Sequence, residues 1–122
     1  MATLIVIAGP GLGRMATVGQ GSCIVGRSEK MAQLVVPDER VSSKHVQVRF
    51  DASIHGYRVK DLNSTNGSYL NDAKLTAELP LPDQSLISVG NSRLFFDLRD
   101  FPDPQTALAS CRDATVKPAD VH

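Results

Sequence analysis

The sequence predicts an all-β fold, a sandwich or a barrel, and three observations carry that expectation. The segments from Thr3 to Leu98 are short and rich in Val, Ile and Leu. Gly, Pro, Asn, Asp or Ser interrupts them every five to twelve residues, and no stretch holds a long helical period. With 122 residues the chain has room for one globular domain. A chain of that size buries roughly two-thirds of the surface its unfolded form exposes, so a core needs neither disulfides nor a metal.

The elements follow in order. Leu4 to Ala8 is a continuous apolar run, and Ala8-Gly9-Pro10-Gly11 marks a tight turn behind it. Met15 to Val18 shows no helical period and reads as the second strand. Ser22 to Arg27 and Gln33 to Val36 are the next two. His45 to Phe50 alternates: Val46, Val48 and Phe50 fall on one face, His45, Gln47 and Arg49 on the other. His55-Gly56 turns the chain into Tyr57 to Leu62. Between that strand and Ser68 to Leu70 stands Asn66-Gly67, which reads as a hairpin turn because both residues tolerate positive φ. Leu86 to Val89 and Arg93 to Leu98 complete the pattern. In the last of these Leu94, Phe96 and Leu98 oppose Arg93, Phe95 and Asp97, so one face covers a core.

From Phe101 the composition changes, with Pro102, Pro104 and Pro118 punctuating a stretch poor in bulky apolar residues. Residues 1–100 are therefore read as the domain and 101–122 as a Pro-containing, partly disordered tail or linker. A short helix from Gln105 to Arg112 fits the pattern but is marginal in water without support. Such an ending suits a small protein with a loose terminus or the front of a longer one.

The 13 basic and 13 acidic side chains balance to zero net charge. Duplex DNA, RNA and an anionic membrane each demand a basic excess, so none is expected as the main partner. Cys23 and Cys111 are too sparse for a disulfide framework and read as free thiols in a reducing compartment. The apolar run Leu4 to Ala8 lacks a basic start and is too short for a signal-peptide core or a membrane span, which points to the cytoplasm. In that compartment the sequons Asn63-Ser64-Thr65 and Asn66-Gly67-Ser68 lose their usual meaning.

Catalytic and cofactor chemistry finds little support. Gly9-Pro10-Gly11-Leu12-Gly13-Arg14 has Arg14 where a dinucleotide loop needs its third glycine, no helix is expected behind it, and no Gly-Lys-Ser/Thr occurs. It reads as a strand-connecting turn. His45, His55 and His122 are scattered and neither Cys has a partner at ligand spacing, so no metal is expected. A hydrolase would pair a Ser with His45 and a carboxylate such as Asp61, yet the Gly-x-Ser-x-Gly elbow is missing. No catalytic residue and no cofactor is assigned.

Three polar loops remain: Gly26-Arg27, Arg40-Val41-Ser42-Ser43-Lys44-His45 and Asp61-Leu62-Asn63-Ser64-Thr65-Asn66-Gly67. Loops from non-adjacent strands of a sandwich can meet at one end. Together they hold an arginine fork, lysine, several hydroxyls and an asparagine amide. That inventory suits a phosphate, which takes bidentate Arg and neutral donors, and it offers no good nucleophile. Singly, each piece also reads as an exposed charge or a turn residue.

In this order and at these separations, the loops together with Ser68-Tyr69-Leu70-Asn71 resemble a forkhead-associated (FHA) domain over approximately Thr3 to Leu98. The resemblance implies a sandwich of two twisted, mostly antiparallel sheets, FHA/SMAD-like, whose apical loops bind phosphothreonine peptides without catalysis. It implies Arg27 gripping the phosphate, Ser42 donating its hydroxyl and backbone, Thr65 assisting, and Asn66 holding the peptide backbone. Ser43 and Lys44 are further phosphate neighbours, and Arg40 stands where some members read the residue three past the phosphothreonine. Gly26, His45 and Gly67 shape the site. Ser43 occupies a place often held by Arg or Asn, Ser68 replaces a common Thr, and Gln84-Ser85 stands where Gly-Asp is frequent. Only the Ser43 departure touches the proposed site. The expected partner is a Thr-phosphorylated protein or peptide, such as a Ser/Thr kinase or its substrate, bound by a monomer. A phosphate-independent scaffold or self-association domain is the alternative.

Overall fold

A computed structural model describes residues 1–110; Cys111, Arg112, His122 and the rest of the expected tail lie outside the described residues. One sheet is built from β1 (Ala2–Ala8), β2 (Met15–Val18), β7 (Ser68–Leu70), β8 (Ala73–Lys74), β10 (Ser85–Val89) and β11 (Ser92–Asp97), ordered β2-β1-β11-β10-β7-β8. The other comprises β3 (Ser22–Gly26), β4 (Leu34–Val35), β5 (Val46–Asp51), β6 (Gly56–Asp61) and β9 (Leu79–Leu81), ordered β4-β3-β5-β6-β9. The pairings are antiparallel except β3 with β4, which is parallel. The all-β sandwich of two mostly antiparallel sheets is therefore the fold.

Alternation along the strands makes the core. Val46 and Val48 of β5, Val59 of β6, Ile87 and Val89 of β10, and Leu94 and Phe96 of β11 are buried between the sheets with Leu4 and Val6. Tyr57 packs edge-on against both Phe50 and Phe96, at centroid distances of 5.4 and 5.3 Å. Its hydroxyl donates to the carbonyl of Val18 at 2.9 Å, so the phenol is buried without an unpaired polar atom. Cys23 lies in this core, and burial pushes its thiol up to about 11, which makes it an inert packing residue.

Several sequence expectations are corrected. Asn66-Gly67 is not a hairpin turn, because β6 and β7 pair with different neighbours in different sheets. Only Gly67 of the two has positive φ, at 81°, and the segment is a crossover loop. β8 and β9 were not expected. β8 is two residues long, and β9 contains Pro80, which reads against a strand but is tolerated here at a sheet edge. Leu98 falls outside β11 and is exposed.

The outer face of β11 is also covered, against the expectation of a single core face. Residues 104–110 form a helix, α1, and Ala107 is fully buried with Ile5 of β1 and Phe95 of β11. Phe101 and Leu108 pack around them. Asp103 caps this helix: its carboxylate accepts from the Thr106 N–H at 2.8 Å, and Pro104 takes the first helical position. The segment read as tail thus begins with a packed element that supplies the tertiary support a short helix needs. Replacing Ala107 with Glu forces a carboxylate into that contact. The cost is limited by the docking energy of α1, which can leave the sheet, and is expected at about 1–3 kcal/mol. A urea midpoint that does not move would show that α1 is no part of the folded unit.

Candidate functional site

The three polar loops meet at one end of the sandwich. Gly26 ends β3, and its carbonyl accepts from the Val36 N–H at 2.8 Å. A Cβ on Gly26 would stand 2.7 Å from the carbonyl carbon of Ser43 and 3.0 Å from Cα of Lys44. Only glycine lets the β3 end lie this close to the loop between β4 and β5. That approach is fastened by the Arg27 N–H to the Ser42 carbonyl, 2.9 Å, and the Ser28 N–H to the Ser43 carbonyl, 3.3 Å. The Arg27 side chain is exposed and makes no hydrogen bond or ion pair among the described residues.

Ser42 is the junction. Its oxygen Oγ accepts from the Thr65 N–H at 3.1 Å, which leaves the hydroxyl proton uncommitted. Its own N–H donates to Nδ1 of His45 at 2.9 Å. Because Nδ1 accepts, the ring proton sits on Nε2, which donates to the Gly67 carbonyl at 2.8 Å. His45 is fully buried, so this one side chain joins two loops from below. Among the described residues no carboxylate and no serine hydroxyl is hydrogen-bonded to the ring, so the Ser–His–carboxylate pairing of the hydrolase alternative is not formed at His45.

The crossover loop is held by Asp61. Its carboxylate accepts from the Ser64 N–H at 2.9 Å and from the hydroxyls of Ser64 and Ser68, while the Gly67 N–H donates to Oγ of Ser64 at 3.0 Å. Burial pushes the Asp61 carboxyl up, but these hydrogen bonds outweigh it and hold it below the ordinary carboxylate value. Thr65 and Asn66 are left exposed at the loop's crest. Nδ2 of Asn66 donates to the Arg40 carbonyl at 2.8 Å, and Nη2 of Arg40 lies 3.5 Å from Oδ1 of Asn66. Arg40 therefore leans over Asn66 and forms no ion pair with Asp38 or Glu39. Ser43 and Lys44 are exposed on the loop beside Ser42.

Asp38 is a residue that sequence reasoning missed. It is almost fully buried and accepts from the Arg40 N–H at 2.9 Å, the Asn91 N–H at 2.8 Å and the Ser92 hydroxyl at 2.7 Å. It thereby ties the loop carrying Arg40 and Ser42 to the β10–β11 turn. The available signal was Pro37-Asp38 at the mouth of a turn, since Asp commonly bonds the backbone two residues on. Burial pushes its carboxyl up, and the three donors bring it below the ordinary 3.8. A depressed native value adds stability above the unfolded value, and that stability is lost as pH falls through the native one. Urea midpoints are thus expected to be flat from neutrality to about pH 5 and to fall below about pH 4, with Asp38→Asn losing part of that acid slope. An unchanged slope in the variant would remove Asp38 from the network.

The loops thus bring Arg27, Ser42 and Thr65 together through Ser42, with Arg40 and Asn66 paired beside them and Gly26, His45 and Gly67 beneath. The chemistry on offer is a free guanidinium, a free hydroxyl proton, a lysine and an amide, all donors to an anion.

The FHA domain family model matches residues 23–90. The FHA domain-containing protein FhaA of Mycobacterium tuberculosis is 38% identical over 84 residues, covering 69% of this chain and 15% of FhaA. FhaB of Mycolicibacterium smegmatis is 32% identical over 89 residues, covering 73% of this chain and 56% of FhaB. The chain spans less than two thirds of the length of either relative. Among solved structures, one from an analysis of phosphothreonine-dependent FHA domain interactions superposes with a TM-score of 0.70 at 34% identity, covering 82% of this chain and 98% of that one. The FhaA FHA domain complexed with the intracellular domain of Rv3910 gives a TM-score of 0.68 at 35% identity, covering 79% and 99%.

Proposed function

This chain belongs to the FHA domain family, and from that premise we propose that it is a phosphothreonine-dependent interaction module that recruits a Thr-phosphorylated partner through its apical loops. The observation that carries the reading is the convergence at Ser42. The Arg27 backbone is bonded to the Ser42 carbonyl, its guanidinium is unpaired among the described residues, and the Ser42 hydroxyl proton has no acceptor among them, with Thr65 occupying the oxygen as donor. A doubly charged phosphate accepts from both groups at once. Thr65 and Lys44 add a hydroxyl and a cation, and Ser43 a second hydroxyl. Asn66 exchanges part of its bonding to Arg40 for the peptide backbone, leaving Arg40 to meet the residue three past the phosphothreonine.

FHA domains are interaction modules, and no residue here is proposed to catalyse a reaction. A Ser/Thr kinase or its substrate in the cytoplasm is the proposed class of partner. No described helix is long and apolar enough to cross a membrane. The scaffold alternative would draw on sheet surface or strand edges; α1 covers the sheet over Ile5 and Phe95 and leaves the edge strands to be tested.

Calorimetry with one peptide in four forms tests the reading. The phosphothreonine form is expected to bind. Phosphoserine, lacking one methyl worth about 0.8 kcal/mol when buried, is expected to bind about fourfold more weakly. Asp offers fewer acceptor oxygens and about half the charge, and is expected to bind scarcely at all, as is unphosphorylated Thr. Equal titrations for the four forms would establish phosphate-independent scaffolding instead.

A further inference from the structure

The outer face of the six-stranded sheet carries a second cationic feature that the phosphate site does not use. Lys74 of β8 lies opposite Tyr69 of β7, Tyr69 opposite Ser88 of β10, and Ser88 opposite Arg93 of β11. Their chain neighbours Ser68, Leu70, Ile87, Val89 and Leu94 are buried, so this row faces away from the core. Lys74, Tyr69 and Arg93 are exposed. With strands about 4.8 Å apart the row is about 14 Å long, the span of about four extended residues.

Two contrasts give the row meaning. On the outer face of the other sheet, Arg49 is bonded to Glu78 and Arg58 to Asp51, each within 2.8 Å, so both arginines there are compensated and only Lys60 stands without an ion pair among the described residues. Lys74 and Arg93 have no ion pair or hydrogen bond among the described residues, in a chain whose net charge is zero. The row also begins at the apical site: Cε of Lys74 lies 3.4 Å from where a Cβ on Gly67 would stand, beside Asn66. A peptide leaving Asn66 along this side meets Lys74 first and Arg93 last.

We infer that the row Lys74-Tyr69-Ser88-Arg93 is a docking strip for an acidic segment of the same phosphorylated partner, a few residues from its phosphothreonine. This rests on the phosphothreonine reading above and extends it to partner choice. Two spaced cations with a tyrosine and a serine hydroxyl between them complement carboxylates on an extended chain. Nucleic acid would call for a basic excess that this protein lacks.

Fluorescence anisotropy with three phosphothreonine peptides tests the inference: one with neutral flanks, one with a glutamate run that begins beyond the third residue past the phosphothreonine and one with the run on the N-terminal side, the third residue being neutral in all three so that Arg40 adds nothing to the difference. One of the acidic peptides is expected to bind about three- to tenfold more tightly than the neutral one at low salt, a gain from two exposed pairs that high salt removes. Lys74→Ala/Arg93→Ala is expected to abolish that gain while binding the neutral peptide as wild type does. Lys74→Glu/Arg93→Glu is expected to turn it into a penalty. No gain on either side, or a gain that persists in the alanine variant, overturns the strip and leaves the phosphate site standing. Failure of the neutral phosphopeptide to bind wild type overturns both.

Discussion

Arg27→Ala is expected to lower affinity for a phosphothreonine peptide about ten- to a hundredfold, because hydrogen bonds to charged groups are worth about 1.5 to 3 kcal/mol. The melting temperature is expected to stay where it is. The guanidinium is exposed and unpartnered among the described residues, and the fold uses only the backbone of Arg27, through its N–H to the Ser42 carbonyl. Alanine keeps that bond. Arg27→Lys separates charge from geometry: a lysine retains the attraction but presents a point charge instead of a planar fork, so affinity between the two is expected. The loss should shrink as salt rises, since part of it is screened Coulomb attraction. Undiminished titration heats from a folded Arg27→Ala protein would remove Arg27 from the phosphate and the proposed site with it.

What the sequence made legible was what repeats locally. Period-two alternation in Val46-Gln47-Val48-Arg49-Phe50 places the strand and its inner face without any tertiary information, and the buried side chains of β5 follow it. The apical loops were legible as a combined motif, although no single loop was distinctive. Asn66-Gly67 shows where local chemistry misleads: the dipeptide tolerates a hairpin turn, but whether β6 and β7 pair is decided by Asp61, Ser64 and Ser68 bonding across the loop and by which sheet each strand joins. Phe95 shows a similar limit. Its inner neighbours Leu94 and Phe96 identify the core face, while burial of the outer face depends on α1, which begins nine residues further on. The short helix was legible from Gln105, and Asp103-Pro104 marks its start one residue earlier, since a capping aspartate before proline is a signal independent of apolar content; its packing on the sheet was not legible. Asp38 was not legible as a junction, because two of its partners, Asn91 and Ser92, lie more than fifty residues away in sequence.

Gly26→Ala is expected to damage stability and binding together. The added Cβ meets backbone, with the carbonyl group of Ser43 nearest and Cα of Lys44 at 3.0 Å, so no side chain can rotate away to make room. The strand end and the loop must separate by several tenths of an ångström or more. That motion strains the bonds from Arg27 to Ser42 and from Ser28 to Ser43, the two that hold the loops together there. Overpacking of this kind costs about 1–3 kcal/mol, and each stretched hydrogen bond adds about 0.5–1.5 kcal/mol. Because Arg27 and Ser42 are displaced relative to each other, the folded fraction should also bind phosphopeptide at least about tenfold more weakly, as expected when two donors no longer converge on one phosphate. Gly21→Ala is the control. A Cβ there meets nothing within 4 Å, so the same substitution should be neutral or slightly stabilising through the unfolded chain. Urea denaturation and calorimetry on both variants decide the matter. Equal stabilities and equal affinities for the two would mean that the close approach at Gly26 does not organise the site.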